Sequence, residues 1–274
     1  MSNCILQLET VHLPNSAQIA AAMDLAIGTF GGDDWLISEV SQDGVSPAGH
    51  TPLGDQAIVR ACERQPRFSH GVYDSSFACA SPKLKIHIAF ERIRLDRMQW
   101  RTILKQGGIR TSAVHLHFSG EPTPSVAQLM YRMAEFLLPY YGRVFVPRDA
   151  LKRQSGSYWT FGGLPGLHPI NFFGACIAEQ LNIQAAQKLA GVDARRNIAG
   201  VLVEFVGRTS EFTCAELEIL QPVLGESCFR RLASESTSGR QQWVLPWLVG
   251  QLGAKRRHER DEQLFNCDLT PLFT

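Results

Sequence analysis

Apolar positions along the first half of the chain follow two patterns, an alternation of period two and stripes of period near 3.6. Ile5, Leu6 and Leu8 among polar neighbours predict an N-terminal strand. Ile19, Met23, Ala26, Ile27 and Phe30 then fall at i, i+4, i+7, i+8 and i+11, which is one face of an amphipathic helix. The same spacing returns 110 residues later at Leu129, Met133, Phe136, Leu137 and Tyr140. Pro14/Pro124, Ala17/Ala127, Gln18/Gln128, Met23/Met133 and Gly32/Gly142 coincide at this offset, a weak internal repeat. Each helix follows a strand and a Pro-containing turn, runs into a glycine able to close it, and precedes a further strand, at 35–40 and 143–146. Two β-α-β-like units are expected.

Between them the pattern predicts a Gly/Pro/Ser-rich loop over 41–54, a short helix over 56–64, strands over 69–74 and 83–92, and a helix over 96–105. Leu84, Ile86, Ile88 and Phe90 alternate with Lys85, His87 and Ala89, as in a half-buried strand. Later come a strand at 158–161, a Gly/Pro-rich turn at 162–169, a mostly helical 171–189 and an apolar strand at 200–206. A Thr-x-x-Glu capping box opens a helix at 213, and the charge run 255–262 reads as a solvated helix face. Irregular alternation of elements predicts an α+β fold: a mixed or antiparallel sheet with helices packed on it. Residues 1–274 are expected to form a single compact domain, with 1–110 and 111–274 as pseudo-repeat halves.

Composition narrows the function classes. Lys+Arg total 27 and Asp+Glu 26, a net of +1, without the basic excess of a dedicated nucleic-acid binder. No run approaches the ~18–20 apolar residues of a membrane span, and the N-terminus lacks a basic leader, so a cytoplasmic protein is expected. The seven cysteines form no C-x-x-C pair, which fits buried thiols in a reducing compartment. Charge is uneven along the chain. The first 59 residues hold seven acids and no Lys or Arg, whereas 60–110 hold eleven basic and four acidic residues. These blocks either neutralise one another or are solvated, or the acidic one is a docking surface for a basic partner. On the docking reading, Asp33, Asp34, Glu39 and Asp43 carry the charge and Trp35 supplies an aromatic anchor.

His115-x-His117 places two imidazoles on one strand face, and His87 lies on the polar side of another strand. If those strands were neighbours, three imidazoles could converge as a His₃ metal site; otherwise each lies on the polar side of a half-buried strand. The turn at 162–169 lacks the Gly-Lys-Ser/Thr of a phosphate loop, and its prolines remove backbone donors. No nucleophile elbow, H-E-x-x-H or dinucleotide fingerprint is present.

Residues 158–174, YWTFGGLPGLHPINFFG, resemble a bacterial immunity protein of the polymorphic-toxin and type VI secretion class, most closely the immunity protein 52 family. Gly163, Leu164, Pro165, Gly166, Asn171, Phe172, Phe173 and Gly174 match the signature, whereas His168-Pro169 stands where an aromatic residue is expected. The matching residues read as fold-building, with Gly and Pro shaping a turn and the aromatics anchoring a helix to the sheet. The resemblance implies a non-enzymatic, cofactor-free protein that neutralises a cognate secreted toxin, a nuclease of restriction-endonuclease-like fold. It implies no direct contact with nucleic acid or membrane. Two alternatives from other classes stay open: a metal-dependent hydrolase using His87, His115 and His117, and a scaffold protein with several weak partners.

Overall fold

The N-terminal alternation forms β1 (Asn3–Thr10), with Cys4, Leu6, Leu8 and Thr10 fully buried on one face. A computed structural model describes residues 3–10, 14–41, 44–45, 51–63, 67–69, 72–95, 112–119, 123–146, 166–189, 191–205 and 220–225. Helix α1 (Ser16–Phe30) opens at a capping box: Gln18 N–H donates to Asn15 Oδ1 at 2.9 Å, and Asn15 N–H donates to Gln18 Oε1 at 3.0 Å. It closes at Gly31, whose φ of +77° suits glycine. The chain continues through β2 (Leu36–Ser41), β3 (Gly44–Val45), β4 (Thr51–Pro52), α2 (Asp55–Glu63), β5 (Arg67–Ser69), β6 (Val72–Ser81) and β7 (Ile86–Leu95). There follow β8 (Ser112–Ser119), α3 (Pro124–Leu137), β9 (Tyr141–Phe145), β10 (Ile170–Gly174), α4 (Ala175–Ala178), α5 (Ile183–Gln187), β11 (Val192–Asn197), β12 (Gly200–Phe205) and α6 (Gln221–Leu224).

The fold is α+β. Among the described residues twelve strands form one sheet in the order β11-β12-β10-β9-β1-β8-β7-β6-β2-β3, with β4 paired to β2 and β5 to β6. All these pairings are antiparallel. On one face Leu6 stands between Leu116 and Val144, and Leu116 pairs on with Ile88. Ile19, Met23, Leu129, Met133 and Leu137 of α1 and α3 join these residues in the main core. Burial of this kind is worth about 1.5–3 kcal/mol per large side chain, and it holds both helices on this face.

Both β-α-β crossovers form, since β1 and β2 run parallel, as do β8 and β9. The first skips three strands (β8, β7, β6) and the second skips one (β1), so the repeat does not extend to the sheet. Strand β1 lies between β9 and β8, which interleaves the two nominal halves. The repeat's glycines also differ in role. Helix α3 ends at Leu138, in a left-handed conformation before Pro139, and Gly142 lies within β9. A Cβ at Gly142 would fall 2.5 Å from Leu8 Cδ2 and 2.6 Å from Met130 Cε, so this glycine lets helix and sheet approach closely.

A second correction concerns 171–189, expected as mostly helix. Residues 170–174 form β10, paired on both sides to β9 and β12 and buried throughout, and only α4 and α5 are helical. A short apolar run has no periodicity to separate strand from helix; two-sided pairing decided it. The elements expected at 96–105, 158–161, 213–216 and 255–262 lie outside the described residues.

Candidate functional site

Cross-strand register decides which polar side chains meet on the sheet face opposite α1 and α3. Gln7 of β1 stands between Arg143 of β9 and His115 of β8. Ile5 stands between Phe145 and His117, and His117 faces His87 of β7.

Gln7 is 6% exposed. Its Oε1 accepts from Arg143 Nε and Nη2, each at 3.0 Å, while its Nε2 donates to Glu9 Oε1 at 3.0 Å. Glu9 Oε2 accepts from the Tyr140 hydroxyl. The Arg143 guanidinium carbon lies 4.6 Å from the Phe145 ring centroid, a cation–π contact. Its Nη1 reaches His168 Nε2 at 3.5 Å. His168 is 2% exposed and held by Asn171: its backbone N–H donates to Asn171 Oδ1 at 2.9 Å, and Asn171 Nδ2 donates back to its carbonyl. Among the described residues the ion pairs are those of Arg195 with Asp193 and Glu204, and Arg143 has no carboxylate partner.

The three candidate metal histidines do share this face on adjacent strands. The rings of His87 and His117 lie 5.5 Å apart, and those of His115 and His117 lie 6.5 Å apart. Burial pushes the His87 pKa below its ordinary value, and the charge of His115 adds to this. His87 Nε2 is buried without a hydrogen-bond partner. However, no group of three His, Cys, Asp or Glu among the described residues is arranged to hold a metal ion. Register supplies the reason: His115 faces Ala89, two residues along β8 from the His87–His117 pair, so the rings spread along the strand.

The two acidic candidates whose side chains are described, Asp33 and Asp34, have different surroundings. Asp33 is exposed in the turn before β2. Asp34 instead ties that turn to the one between β6 and β7, accepting from Ser81 Oγ at 2.9 Å and Lys83 N at 3.3 Å. The Ser81 hydrogen bond, with smaller help from Lys83, holds its carboxyl below the ordinary value against the opposing effect of desolvation. Trp35 is 4% exposed and donates its indole N–H to the Gly31 carbonyl at 3.1 Å, so it is a core residue and not an exposed anchor. Glu39 is paired in register with Phe77, and Asp43 lies outside the described residues.

Of the signature, Gly163, Leu164 and Pro165 lie outside the described residues. Gly166 has a φ of +130°, and its carbonyl accepts from the Tyr141 hydroxyl at 3.2 Å. Phe172 enters the helix-side core, while Phe173 packs against Tyr141 with ring centroids 6.0 Å apart. Gly174 donates its N–H to the Tyr140 carbonyl at 2.9 Å, and a Cβ there would meet Pro139 O at 2.6 Å. The signature residues described are thus built into β10 and its junctions.

Gln7, Glu9, Tyr140, Arg143 and His168 are absent from the sequence-derived site. Strand alternation puts Gln7 and Glu9 off the apolar face, but nothing in the sequence pairs β1 with β9.

No family model matches the chain, and no curated protein does. Among solved structures, a Pseudomonas aeruginosa T6SS protein is similar to it over 92% of this chain and 86% of that one, at 14% identity and a TM-score of 0.48. The family resemblance therefore rests on the sequence itself, on the signature at 158–174 within about residues 140–206.

Proposed function

We propose that this chain is a cytoplasmic, non-enzymatic immunity protein that binds a cognate secreted toxin and neutralises it. The toxin is read as a nuclease of restriction-endonuclease-like fold delivered by a type VI secretion system. The partner is protein, with no direct contact to nucleic acid or membrane, and no cofactor is needed. The observation that carries the reading is the signature at 158–174, whose described members build the β10 junction. Among the described residues no helix is long and apolar enough to cross a membrane.

The acidic segment supports a docking role in this reading, because a nuclease presents a basic surface to phosphates. Asp33 is exposed, with Glu39 and Asp43 in the same stretch of chain. Asp34 is committed to the fold through Ser81 and Lys83. Trp35 has no part in docking.

The test is co-expression with the protein encoded by the neighbouring gene. Restored growth together with a stoichiometric complex is expected. Neither rescue nor complex overturns the reading.

A further inference from the structure

We infer that Arg143 holds a binding site for one oxyanion, a carboxylate or phosphate group, at the open end of its guanidinium. A guanidinium carries five N–H donors in a rigid plane. Here Nε–H and the adjacent Nη2–H converge on a single oxygen, Gln7 Oε1, at 3.0 Å each. That is the side-on approach. Nη1 reaches His168 Nε2 at 3.5 Å, and the Phe145 ring fixes the plane from below at 4.6 Å. The remaining parallel pair, one N–H on each terminal nitrogen, is the end-on fork that matches two oxygens of a carboxylate or phosphate.

Among the described residues the cation has no carboxylate counter-charge. Arg143 is half-buried on a central strand, where charges are normally paired. The nearby carboxylate, Glu9, is occupied by Tyr140 and by the far end of the Gln7 amide. Gln7 therefore spaces the cation from the acid: its oxygen orients the guanidinium while its nitrogen satisfies Glu9. A glutamate at position 7 would neutralise Arg143 internally; the amide orients it and leaves its charge available. Asn171 fixes His168 beside the fork through both backbone groups. The site is rigid and positively charged, and the inference does not rest on the immunity reading.

The experiment titrates the full chain with inorganic phosphate at constant ionic strength in chloride, following histidine ring and arginine side-chain signals by NMR. Saturable binding is expected. Arg143→Gln should weaken it at least tenfold, and Arg143→Lys, which keeps the charge but loses the fork, severalfold. Displacement of phosphate by equimolar acetate identifies a carboxylate-type ligand, and phosphate retained against acetate identifies a phosphate-type one. Gln7→Glu, nearly isosteric, should also weaken binding at least tenfold and serves if Arg143→Gln does not fold. Absence of saturation, or an affinity unchanged in the folded variants, overturns the inference.

Discussion

Two N–H donors of Arg143 share one acceptor on Gln7: the single amide oxygen of a 6%-exposed glutamine takes two guanidinium hydrogens at 3.0 Å each, across the β1–β9 pairing. The relationship links the N-terminal strand to a strand more than 130 residues later. It also makes Gln7 a stability determinant. Gln7→Leu would leave two half-buried N–H donors and Glu9 Oε1 without this partner, at a cost of about 2–3 kcal/mol. Urea denaturation measures this, and a change under about 0.5 kcal/mol would show that water replaces the amide.

Asn171 closes on His168 with both ends of its amide, inside the sheet and fully buried. Asn171→Ala removes an acceptor and a donor at once, with an expected loss of about 2–4 kcal/mol. Asn171→Asp keeps the acceptor but loses the donor while its carboxyl is ionised, and should fall between alanine and wild type at a pH where the protonated carboxyl supplies an O–H donor. Equal stability of all three would dismiss the clamp.

Two of the sheet glycines, Gly142 and Gly200, are expected to rank differently. At Gly142 an added methyl meets the flexible ends of Leu8 and Met130, so Gly142→Ala should cost about 1–2 kcal/mol. At Gly200 it runs into backbone, the Phe173 carbonyl oxygen, at a φ of +154°. Gly200→Ala should therefore cost about 3 kcal/mol or more. Thermal melts of the two variants give the order directly.

Acid should destabilise this protein partly through His87. Its folded pKa lies below the unfolded value near 6.5, so the unfolded chain binds more protons in between. This contribution is fully present above the unfolded value and is lost as pH falls through the folded one. His87→Phe should flatten the decline of Tm between pH 7 and pH 5. An unchanged slope would remove His87 from the account.

The acidic turn separates a docking role from a folding one. Asp33→Lys should leave the melting temperature nearly unchanged and, on the proposed function, slow association with the toxin severalfold and flatten its salt dependence. Asp34→Asn should lower the melting temperature, because it weakens the Ser81 and Lys83 bonds. If Asp33→Lys binds with wild-type kinetics at low salt, the docking surface lies elsewhere on the chain.

Local order was legible wherever a pattern repeats over enough residues. The stripe from Ile19 to Phe30 and the alternation of Ile86, Ile88 and Phe90 announced α1 and β7, because burying one face constrains every third or fourth position of a helix and every second of a strand. Leu84, expected in the same strand, lies exposed in the turn before it. The sequence by itself also determined that His87, His115 and His117 lie on polar strand faces. Only the tertiary structure decided that β1 inserts between β8 and β9, that 170–174 is a strand, and that Trp35 is core while Asp34 is a tie. The place of β1 between β8 and β9 is set by contacts between residues 102 (Thr10 to Ser112) to 140 (Ile5 to Phe145) positions apart, and no period along the chain encodes such a distance. Gln7 and Arg143 each look like ordinary polar strand residues, and they become one site only when β9 pairs with β1.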